Sequence, residues 1–476
     1  MRLSSAAVET PVDAAPRPDM TPLQASIGRT HDFEPARVEG TVPPDLRGTL
    51  IRTGPGLLER FGRRLSHSFE ADGALSAVRF GPTTERAVQI VRSPGFEEEE
   101  AAGKPLYGSA APRWRRFLNA VRGKTKTTGN TSVMQWQGRT FALMEGGRPV
   151  EIDPRSLGTG AVEDFSGVLG AAFSAHPHRL DATKTTYNFG QVWGRSPGVR
   201  LYAMPDDGPV RALGEVAIPF NTMVHDFAIT PRYAVFVICP AKLDLRRALT
   251  ASGDFDKYFV WDGAAAAELV VVALARPDAA VHIEIDARWV FHVSNAFERG
   301  DELVVDWVQY PDFGVFTALS GNDPDADVGA SRVQRLTIDP LGGGGGRLVR
   351  EEVLWDRRCD FPVLVAEDVG TEYRTCWYAC GEPRVGGGVA RLDTQTGATN
   401  IWKPGPGYTP SEALFVRRPD AVRPHEGWLL SLVYDGWARE SFVAILDADQ
   451  PADGPIAKVW MGQAIPLTFH GTFVPA

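Results

Sequence analysis

Short strand-like segments separated by turn residues recur along this chain and restrict the folds it can adopt. Each segment is rich in Val, Phe, Tyr, Trp and Ile. Examples are RTFALME (139–145), TTYNFGQVW (185–193), YAVFVICP (233–240), ELVVDWVQY (302–310), WLLSLVYD (428–435) and SFVAILDA (441–448). Turn sequences such as PDDG, ERGD and PHEG lie between such segments, and 49 glycines and 36 prolines favour many tight turns. Repeated short strands along a 476-residue chain predict an all-β protein, either a propeller or a large barrel assembly.

The division of the chain into domains follows from the same pattern. Residues 1–30 begin with a stretch rich in Pro, Asp and Ala, and we expect them to form a flexible N-terminal arm. No break strong enough to split the remainder is present, so residues 31–476 are predicted to form one domain. Helical patterns are confined to 111–124 and 243–252. No sequence repeat of about 40–50 residues is evident, so periodicity alone does not count propeller blades.

Composition limits the function and the compartment. The net charge of −9 and the pI near 5.6 argue against a nucleic-acid-binding protein, which normally carries a basic excess. Four cysteines without a CxxC pair fit free thiols in a reducing compartment. The sequence contains neither an apolar run of about 18 residues nor the apolar region of a secretory signal. We therefore expect a cytoplasmic protein.

Four of the nine histidines stand in apolar segments that resemble strand ends. They are His176 in SAHPHRLD, His225 in MVHDFAIT, His292 in FHVSNAFE and His470 in LTFHGTF. Each one alone is explained by a buried imidazole hydrogen-bonded to a carbonyl group, and their spacing matches no local metal motif. Together, four neutral imidazoles could converge on the axis of a propeller, where they would suit Fe, Zn or Cu. Carboxylates are then expected at the far ring nitrogens.

Taken in order, these segments resemble the carotenoid cleavage oxygenase family over residues 38–476. The resemblance also includes GTLIRTGPG (48–56), HSFEADGALSAVRF (67–80) and GNTSVMQWQGRTFALMEGGRPVEID (129–153). It implies a seven-bladed β-propeller in which a few helices and loops form a cap over an axial Fe²⁺ ion. The implied metal ligands are His176, His225, His292 and His470.

The resemblance also implies three supporting carboxylates and one threonine. Glu145 is expected to support His225, Asp360 to support His292, and Glu412 to support His470. Family members usually carry glutamate where Asp360 stands, and aspartate is shorter by about 1.3–1.5 Å. Either the backbone moves closer, a water bridges the gap, or the His292 ring is less firmly oriented; Glu367 is a possible substitute. Thr131 matches a family threonine whose side chain crowds an otherwise open coordination position.

The implied reaction is the cleavage by O₂ of a conjugated C=C bond into two carbonyl products. It requires a redox-active metal, which excludes zinc, and a zinc hydrolase would normally use three protein ligands. Stilbene-cleaving relatives carry lysine directly before the supporting glutamate, at the position of Met144. An apolar residue there favours a carotenoid or apocarotenoid polyene over the alternative, a stilbene or phenylpropenoid aryl-alkene. A different class also remains open, an iron-free propeller scaffold that binds lipids or partners.

One amphipathic stretch, residues 104–126, suggests contact with a membrane. Trp114, Phe117, Leu118 and Val121 fall on one face of a predicted helix, and six Arg or Lys residues surround them. In an acidic protein, such a basic amphipathic helix is typical of peripheral attachment to a lipid surface. A surface helix with a solvated basic face is the alternative.

Overall fold

The strands form seven antiparallel sheets arranged as the blades of a propeller in the computed structural model, which describes residues 17–250, 254–320, 329–382 and 386–476. We number the blades in chain order. Blade one contains His31–Pro35, Gly48–Leu57, Asp72–Phe80, Glu85–Ile90 and Gly471–Pro475. Blade two contains Ser132–Trp136, Arg139–Leu143, Val150–Ile152 and Thr159–Val162. Blade three contains His178–Leu180, Thr185–Val192, Gly198–Pro205 and Arg211–Ala217. The predicted all-β seven-bladed propeller is confirmed.

The remaining blades continue this pattern around the axis. Blade four contains Phe227–Ile229, Tyr233–Ile238, Ala267–Ala273 and Val281–Ile285. Blade five contains Trp289–Arg299, Glu302–Tyr310, Arg332–Asp339 and Arg347–Trp355. Blade six contains Cys359–Val363, Thr375–Glu382, Gly386–Asp393 and Thr399–Trp402. Blade seven contains Val38–Gly40, Tyr408–Arg417, Gly427–Asp435, Glu440–Asp447 and Pro455–Trp460.

The ring is closed by strands from the two ends of the chain. Gly471–Pro475 pairs with Gly48–Leu57, so the C-terminal strand completes blade one beside an N-terminal strand. Val38–Gly40 pairs with Pro455–Trp460 and in the same way completes blade seven. Gly471 permits the close approach, because a Cβ there would lie 2.3 Å from the carbonyl oxygen of Ile51. The closure fixes the innermost strand that directly follows His470.

Apolar side chains fill the spaces between the blades. Phe189 of blade three meets Phe227 and Phe236 of blade four, with ring centroids 5.2–5.4 Å apart. Trp377 of blade six stacks on Phe415 of blade seven at 4.9 Å. Aromatic pairs at these separations add to the free energy gained from burial itself. The innermost strands are thereby held at fixed positions around the axis.

Helices and loops that connect strands, both between and within blades, form a cap. The helices are α1 (Pro94–Ala102), α2 (Arg113–Val121), α3 (Leu245–Thr250) and α4 (Gly314–Ala318). The short 3₁₀ turns are Thr21–Gln24, Ser68–Glu70, Asp181–Thr183, Phe255–Tyr258, Gly342–Gly344, Ala366–Asp368 and Pro451–Asp453. Two-stranded ribbons pair Glu59–Arg60 with Arg63–Arg64 and Ala241–Leu243 with Phe259–Trp261.

Local sequence explains the helices of the cap. α1 begins at Pro94, and the side chain of the preceding Ser93 accepts a hydrogen bond from the backbone N–H of Phe96. The helix is terminated by Gly103, whose backbone lies in the left-handed region. The predicted helix within 111–124 is α2. The one predicted within 243–252 is α3, and residues 251–253 lie outside the described part of the chain.

The cap segments are joined by specific contacts. His67 stacks on Phe316 at a centroid distance of 4.5 Å, and Ser68 donates to the carbonyl of Leu319. Arg116 of α2 donates to the Tyr258 hydroxyl. These contacts join four separate regions of the sequence in pairs within the cap.

Candidate metal centre

Each of the seven blades contributes one of the seven predicted histidine ligands and supporting carboxylates near the axis. His176 and His225 each lie two residues before the first strand of their blades, three and four. His292 lies within the first strand of blade five, and His470 directly precedes the C-terminal strand of blade one. Blades two, six and seven provide the carboxylates: Glu145 two residues after Arg139–Leu143, Asp360 in Cys359–Val363 and Glu412 in Tyr408–Arg417. The structure brings all seven together.

The four histidines meet through their ring nitrogens. One nitrogen from each of His176, His225, His292 and His470 lies within 4.8 Å of the other three, and all four residues are buried. The Nε2 atoms of His176 and His225 are 3.0 Å apart, and those of His292 and His470 are 3.1 Å apart. This is the only group of metal-binding type among the described residues.

Irregular strand pairing aims several of these side chains at the axis. Pairing shifts on both sides of Val293 in the strand of His292, between Asp360 and Val363, and between Pro410 and Ala413, beside Glu412. Bulges of this kind bend a strand and redirect a side chain that regular alternation would turn elsewhere. Alternation in the sequence therefore could not show which way these residues point.

His292 receives direct support from Asp360. Oδ1 of Asp360 lies 2.6 Å from Nδ1 of His292, and the Tyr310 hydroxyl donates to Oδ2 at 2.6 Å. Phe361 follows with a φ of 55°, in the left-handed region, and its N–H donates to Oδ1 of Asp360. The contact between Asp360 and His292 is therefore direct and needs no bridging water. Glu367 pairs instead with Arg417 and does not take this place.

His470 is supported from a buried ion pair. Oε1 of Glu412 lies 2.7 Å from Nδ1 of His470, while Arg52 donates to Oε2 of Glu412 and, at 2.6 Å, to the carbonyl of Phe469. Burial opposes the charge of Glu412, but His470 and Arg52 outweigh it and lower the pKa of this carboxyl to about 2. Glu412 therefore stays ionised.

The contact between Glu145 and His225 is close but less well aligned. Oε1 of Glu145 lies 3.1 Å from Nδ1 of His225, a geometry that falls short of a hydrogen bond. Neither atom has another hydrogen-bond partner in the described part of the chain. A buried donor and a buried acceptor left facing each other are expected to pair. The placement is consistent with the predicted relationship.

The arrangement of the four histidines suits the binding of a metal ion better than it suits hydrogen bonding within the protein alone. Carboxylates occupy or face Nδ1 of His225, His292 and His470, which leaves Nε2 of each ring free to bind. Burial, followed by the neighbouring imidazoles, lowers the pKa of His176 well below its ordinary value. Burial also lowers the pKa of His292, but the attraction of Asp360 outweighs it and the net shift is upward. Four such rings cannot all be protonated at this separation, whereas neutral imidazoles are good metal ligands.

Sequence reasoning missed several residues that hold the site. Tyr310 and Arg52 each anchor a carboxylate, and only the position of Arg52 in an apolar strand offered a signal.

Asp226 accepts hydrogen bonds from His178 at 2.7 Å and from the N–H of Val293 at 2.8 Å. It thereby connects the segments of three ligands. Its carboxylate is also 4.0 Å from Nδ1 of His176, while Oε1 of Glu145 lies 3.9 Å from Nε2 of the same ring.

Two cavities lie beside the site and share Phe69 and Thr131 in their walls. The smaller, about 350 Å³, is lined by His225, His292 and His470. The larger, about 570 Å³, is lined by Met144 and Glu145 and by residues of α2. Thr131 is buried, and its hydroxyl donates to the Asn130 side chain at 3.0 Å. It stands where the two cavities meet.

Aromatic side chains enclose the site. Phe291 lies 4.9 Å from the His225 ring, and Phe361 lies 4.9 Å from the His292 ring and 5.2 Å from that of His470. Phe69 stacks parallel to His225 at 6.3 Å. Walls of this kind exclude water and accept apolar ligands.

A propeller with four convergent histidines on its axis, beside apolar cavities, has the arrangement expected of a metal-dependent enzyme. Residues 25–475 match the retinal pigment epithelial membrane protein (RPE65) family. The chain belongs to this family, the carotenoid cleavage oxygenases, as its sequence motifs predicted.

Relatives and solved structures extend over nearly the whole chain. The apocarotenoid-15,15'-oxygenase of Synechocystis is 30% identical, with 93% of each chain covered. The isoeugenol monooxygenase of Pseudomonas nitroreducens is 25% identical over 93% of this chain and 95% of that protein. The lignostilbene-alpha,beta-dioxygenase isozyme III of Sphingomonas paucimobilis is 27% identical over 94% of each. The structure of cobalt-substituted Synechocystis apocarotenoid oxygenase superposes with a TM-score of 0.84 at 27% identity, covering 97% of this chain and all of that one.

Proposed function

We propose that this protein is an Fe²⁺-dependent oxygenase that cleaves a conjugated C=C bond of a carotenoid or apocarotenoid with O₂. The observation that carries the proposal is the convergence of His176, His225, His292 and His470 beside an apolar cavity. The relative named as an apocarotenoid oxygenase and the cobalt-substituted neighbour support a metal centre of this type. Bound iron would supply the one-electron chemistry that activates O₂, which zinc lacks.

The residues of this chain would bind the metal, orient its histidine ligands and shield the substrate from water. Glu145, Asp360 and Glu412 would hold three imidazoles with the proton on Nδ1, so that Nε2 faces the metal. The hydroxyl of Thr131 is engaged by Asn130, which leaves its methyl group to restrict the space beside the histidines. The aromatic walls would hold a planar polyene and keep water away.

The cavities favour a polyene over a phenol. Met144 lines the larger cavity directly beside Glu145, and its sulfur accepts from the N–H of Thr128 at 3.0 Å. A thioether offers an apolar, polarizable surface and no charge to a phenol oxygen. Cleavage of a stilbene or phenylpropenoid is the second candidate, which is supported by the relatives named as acting on lignostilbene and isoeugenol.

Substrate preference is tested with the iron-loaded protein. After anaerobic reconstitution with Fe²⁺, the protein is mixed with O₂ and either an apocarotenal or a hydroxystilbene, and the carbonyl products are identified by mass. We expect two carbonyl fragments from the apocarotenal and a kcat/KM at least about 10-fold lower for the hydroxystilbene. Met144→Lys should narrow or reverse that preference. Preferential cleavage of the stilbene by the unaltered protein would favour the second candidate.

We also propose that α2 contacts a lipid surface at the mouth of the larger cavity. Arg116, Asn119 and Ala120 of α2 line that cavity. The outer side of α2 exposes Trp114, Phe117 and Val121, and Leu245 and Val260 are exposed as well. Because α2 contacts α3, which begins at Leu245, the exposed apolar side chains extend from α2 towards a second cap element. None of the helices in the described ranges is both long and apolar enough to cross a bilayer. The proposed location is the cytoplasm, with peripheral attachment to a membrane.

A further inference from the structure

The N-terminal segment 18–27, here called the strap, crosses the propeller beside the smaller cavity. Its first part is fixed to blade seven. The N–H of Asp19 donates to the carbonyl of Gly436 at 2.9 Å, and the Tyr434 hydroxyl donates to the carbonyl of Asp19 at 2.7 Å. The carboxylate of Asp19 also lies 3.2 Å from Nε of Arg439. This part of the predicted N-terminal arm therefore has defined partners.

The packing under the strap is close. A Cβ at Gly436 would lie 2.8 Å from the sulfur of Met20 and 2.9 Å from Cβ of Pro18. Both distances are shorter than atoms of these types can approach. The glycine lets the strap lie directly on blade seven.

The rest of the strap is fixed to blade one and the loop after its strand Gly48–Leu57, on the other side of the junction between the first and last blades. The N–H of Ile27 donates to the carbonyl of Gly56 at 2.8 Å, and the N–H of Glu59 donates to Oγ of Ser26 at 3.0 Å. Between these ends, the carbonyl of Leu23 accepts a hydrogen bond from the N–H of Leu467 at 3.1 Å. Leu467 precedes the ligand His470 by three residues, so the middle of the strap is tied to the segment that carries this histidine.

Two side chains of the strap form part of the cavity wall. Leu23 and Gln24 line the smaller cavity together with Leu467, Phe469 and His470. Leu23 is half-buried and Gln24 is exposed, whereas the histidines are buried. The strap therefore stands between this cavity and solvent.

We propose that Leu23 limits the length of the substrate end that fits beyond the histidines, and so selects which double bond is cleaved. The inference rests on the proposed function. On this proposal, a polyene beside the histidines would place one end in each of the two cavities, whose walls share Phe69 and Thr131. The position of its reacting bond then depends on how far one end advances before it meets the strap.

The test compares products and rates for Leu23→Trp, Leu23→Ala and the control Thr21→Trp. Thr21 lies on the same 3₁₀ turn but is exposed and lies outside both cavity walls. Thr21→Trp therefore places a tryptophan side chain on the solvent side of the strap. The probes are all-trans polyene aldehydes that share one end group and differ in their number of conjugated double bonds. Products are identified by mass, and the iron content of every variant is measured.

Leu23→Trp should lower kcat/KM about 10-fold or more for the longest substrate and move its cleavage towards the end held in the smaller cavity. Leu23→Ala should move cleavage in the opposite direction, and Thr21→Trp should leave the products unchanged. Unchanged cleavage positions in both Leu23 variants, with normal iron content, would overturn the proposal. If the unaltered protein loaded with iron formed no carbonyl products, the proposed function would fail instead.

Discussion

Oδ1 of Asp360 lies 2.6 Å from Nδ1 of His292, although aspartate reaches less far than the glutamate usual in this family. The strand departs from regular pairing between Asp360 and Val363, and Phe361 has a φ of 55°, in the left-handed region. The residue thus differs from the one usual in the family, but the contact between carboxylate and imidazole is retained.

Replacement of Asp360 should weaken metal binding. Asp360→Asn keeps the shape of the side chain but removes the charge that orients the His292 ring. We expect the affinity for Fe²⁺ or Co²⁺ to fall about 10- to 100-fold, the usual effect of removing such a partner. Anaerobic competition with a chromophoric chelator measures it. Glu367→Gln is the control, because Glu367 pairs with Arg417 on the surface; equal losses in both variants would contradict the role of Asp360.

Loss of Arg52 should destabilise the protein before any metal is bound. Arg52→Met leaves Glu412 ionised in a buried position without its cation, which typically costs about 3–5 kcal/mol. Denaturant unfolding of the metal-free protein gives the change in free energy. The control Arg200→Met breaks an exposed ion pair with Glu215, expected to contribute at most about 1 kcal/mol. A similar small effect in both variants would show that Glu412 is compensated elsewhere.

His67 should make stability fall in mild acid. Burial lowers the pKa of His67 to about 4, although its Nε2 donates to the carbonyl of Phe316 and its Nδ1 accepts from the N–H of Phe69. The unfolded chain binds this proton near pH 6.5, so stability is fully present above that pH and is lost as pH falls towards 4. The loss amounts to about 3 kcal/mol.

The variant His67→Gln isolates this contribution. It should be less stable at pH 7 yet lose less stability between pH 6.5 and 4 than the unaltered protein. Denaturant unfolding at a series of pH values measures both. An identical pH dependence in the two proteins would exclude His67 as its source.

Membrane attachment should depend on the apolar side of α2. The triple variant Trp114→Ser, Phe117→Ser, Val121→Ser is expected to bind anionic phospholipid vesicles at least about 10-fold more weakly in sedimentation assays, because three exposed apolar side chains no longer enter the interface. The control is Val422→Ser, which removes an even more exposed apolar side chain outside the cap. Equal vesicle binding by both variants would favour a purely solvated helix.

The sequence predicted the architecture more completely than the contacts within the site. Short strands and turn residues indicated an all-β chain, and the resemblance to the carotenoid cleavage oxygenases implied the count of seven blades. The four histidines stood out because each interrupts an apolar segment. Arg52, Tyr310 and Asp226 were missed because their partners are remote in sequence. Arg52 and Glu412, for example, are 360 residues apart, and only the closure of the ring makes them neighbours.

Local irregularity limited the prediction as well. In regularly alternating strands, the positions of Asp360 and His292 in the sequence would determine the face on which each side chain lies. Both strands, however, carry bulges whose location depends on the neighbouring strands. The left-handed backbone of Phe361 has no sequence signal, since glycine is the residue normally found there. Such features are determined by tertiary packing.

The iron content of the purified protein tests the four-histidine centre most directly. After anaerobic loading with Fe²⁺ and removal of the excess, elemental analysis should find about one iron per chain. His225→Ala and His292→Ala should each reduce it to roughly a tenth or less, whereas His282→Ala, at an exposed histidine paired with Glu268, should retain it. A folded protein that bound no iron, or full iron content in the His225 and His292 variants, would contradict a metal site at the propeller axis.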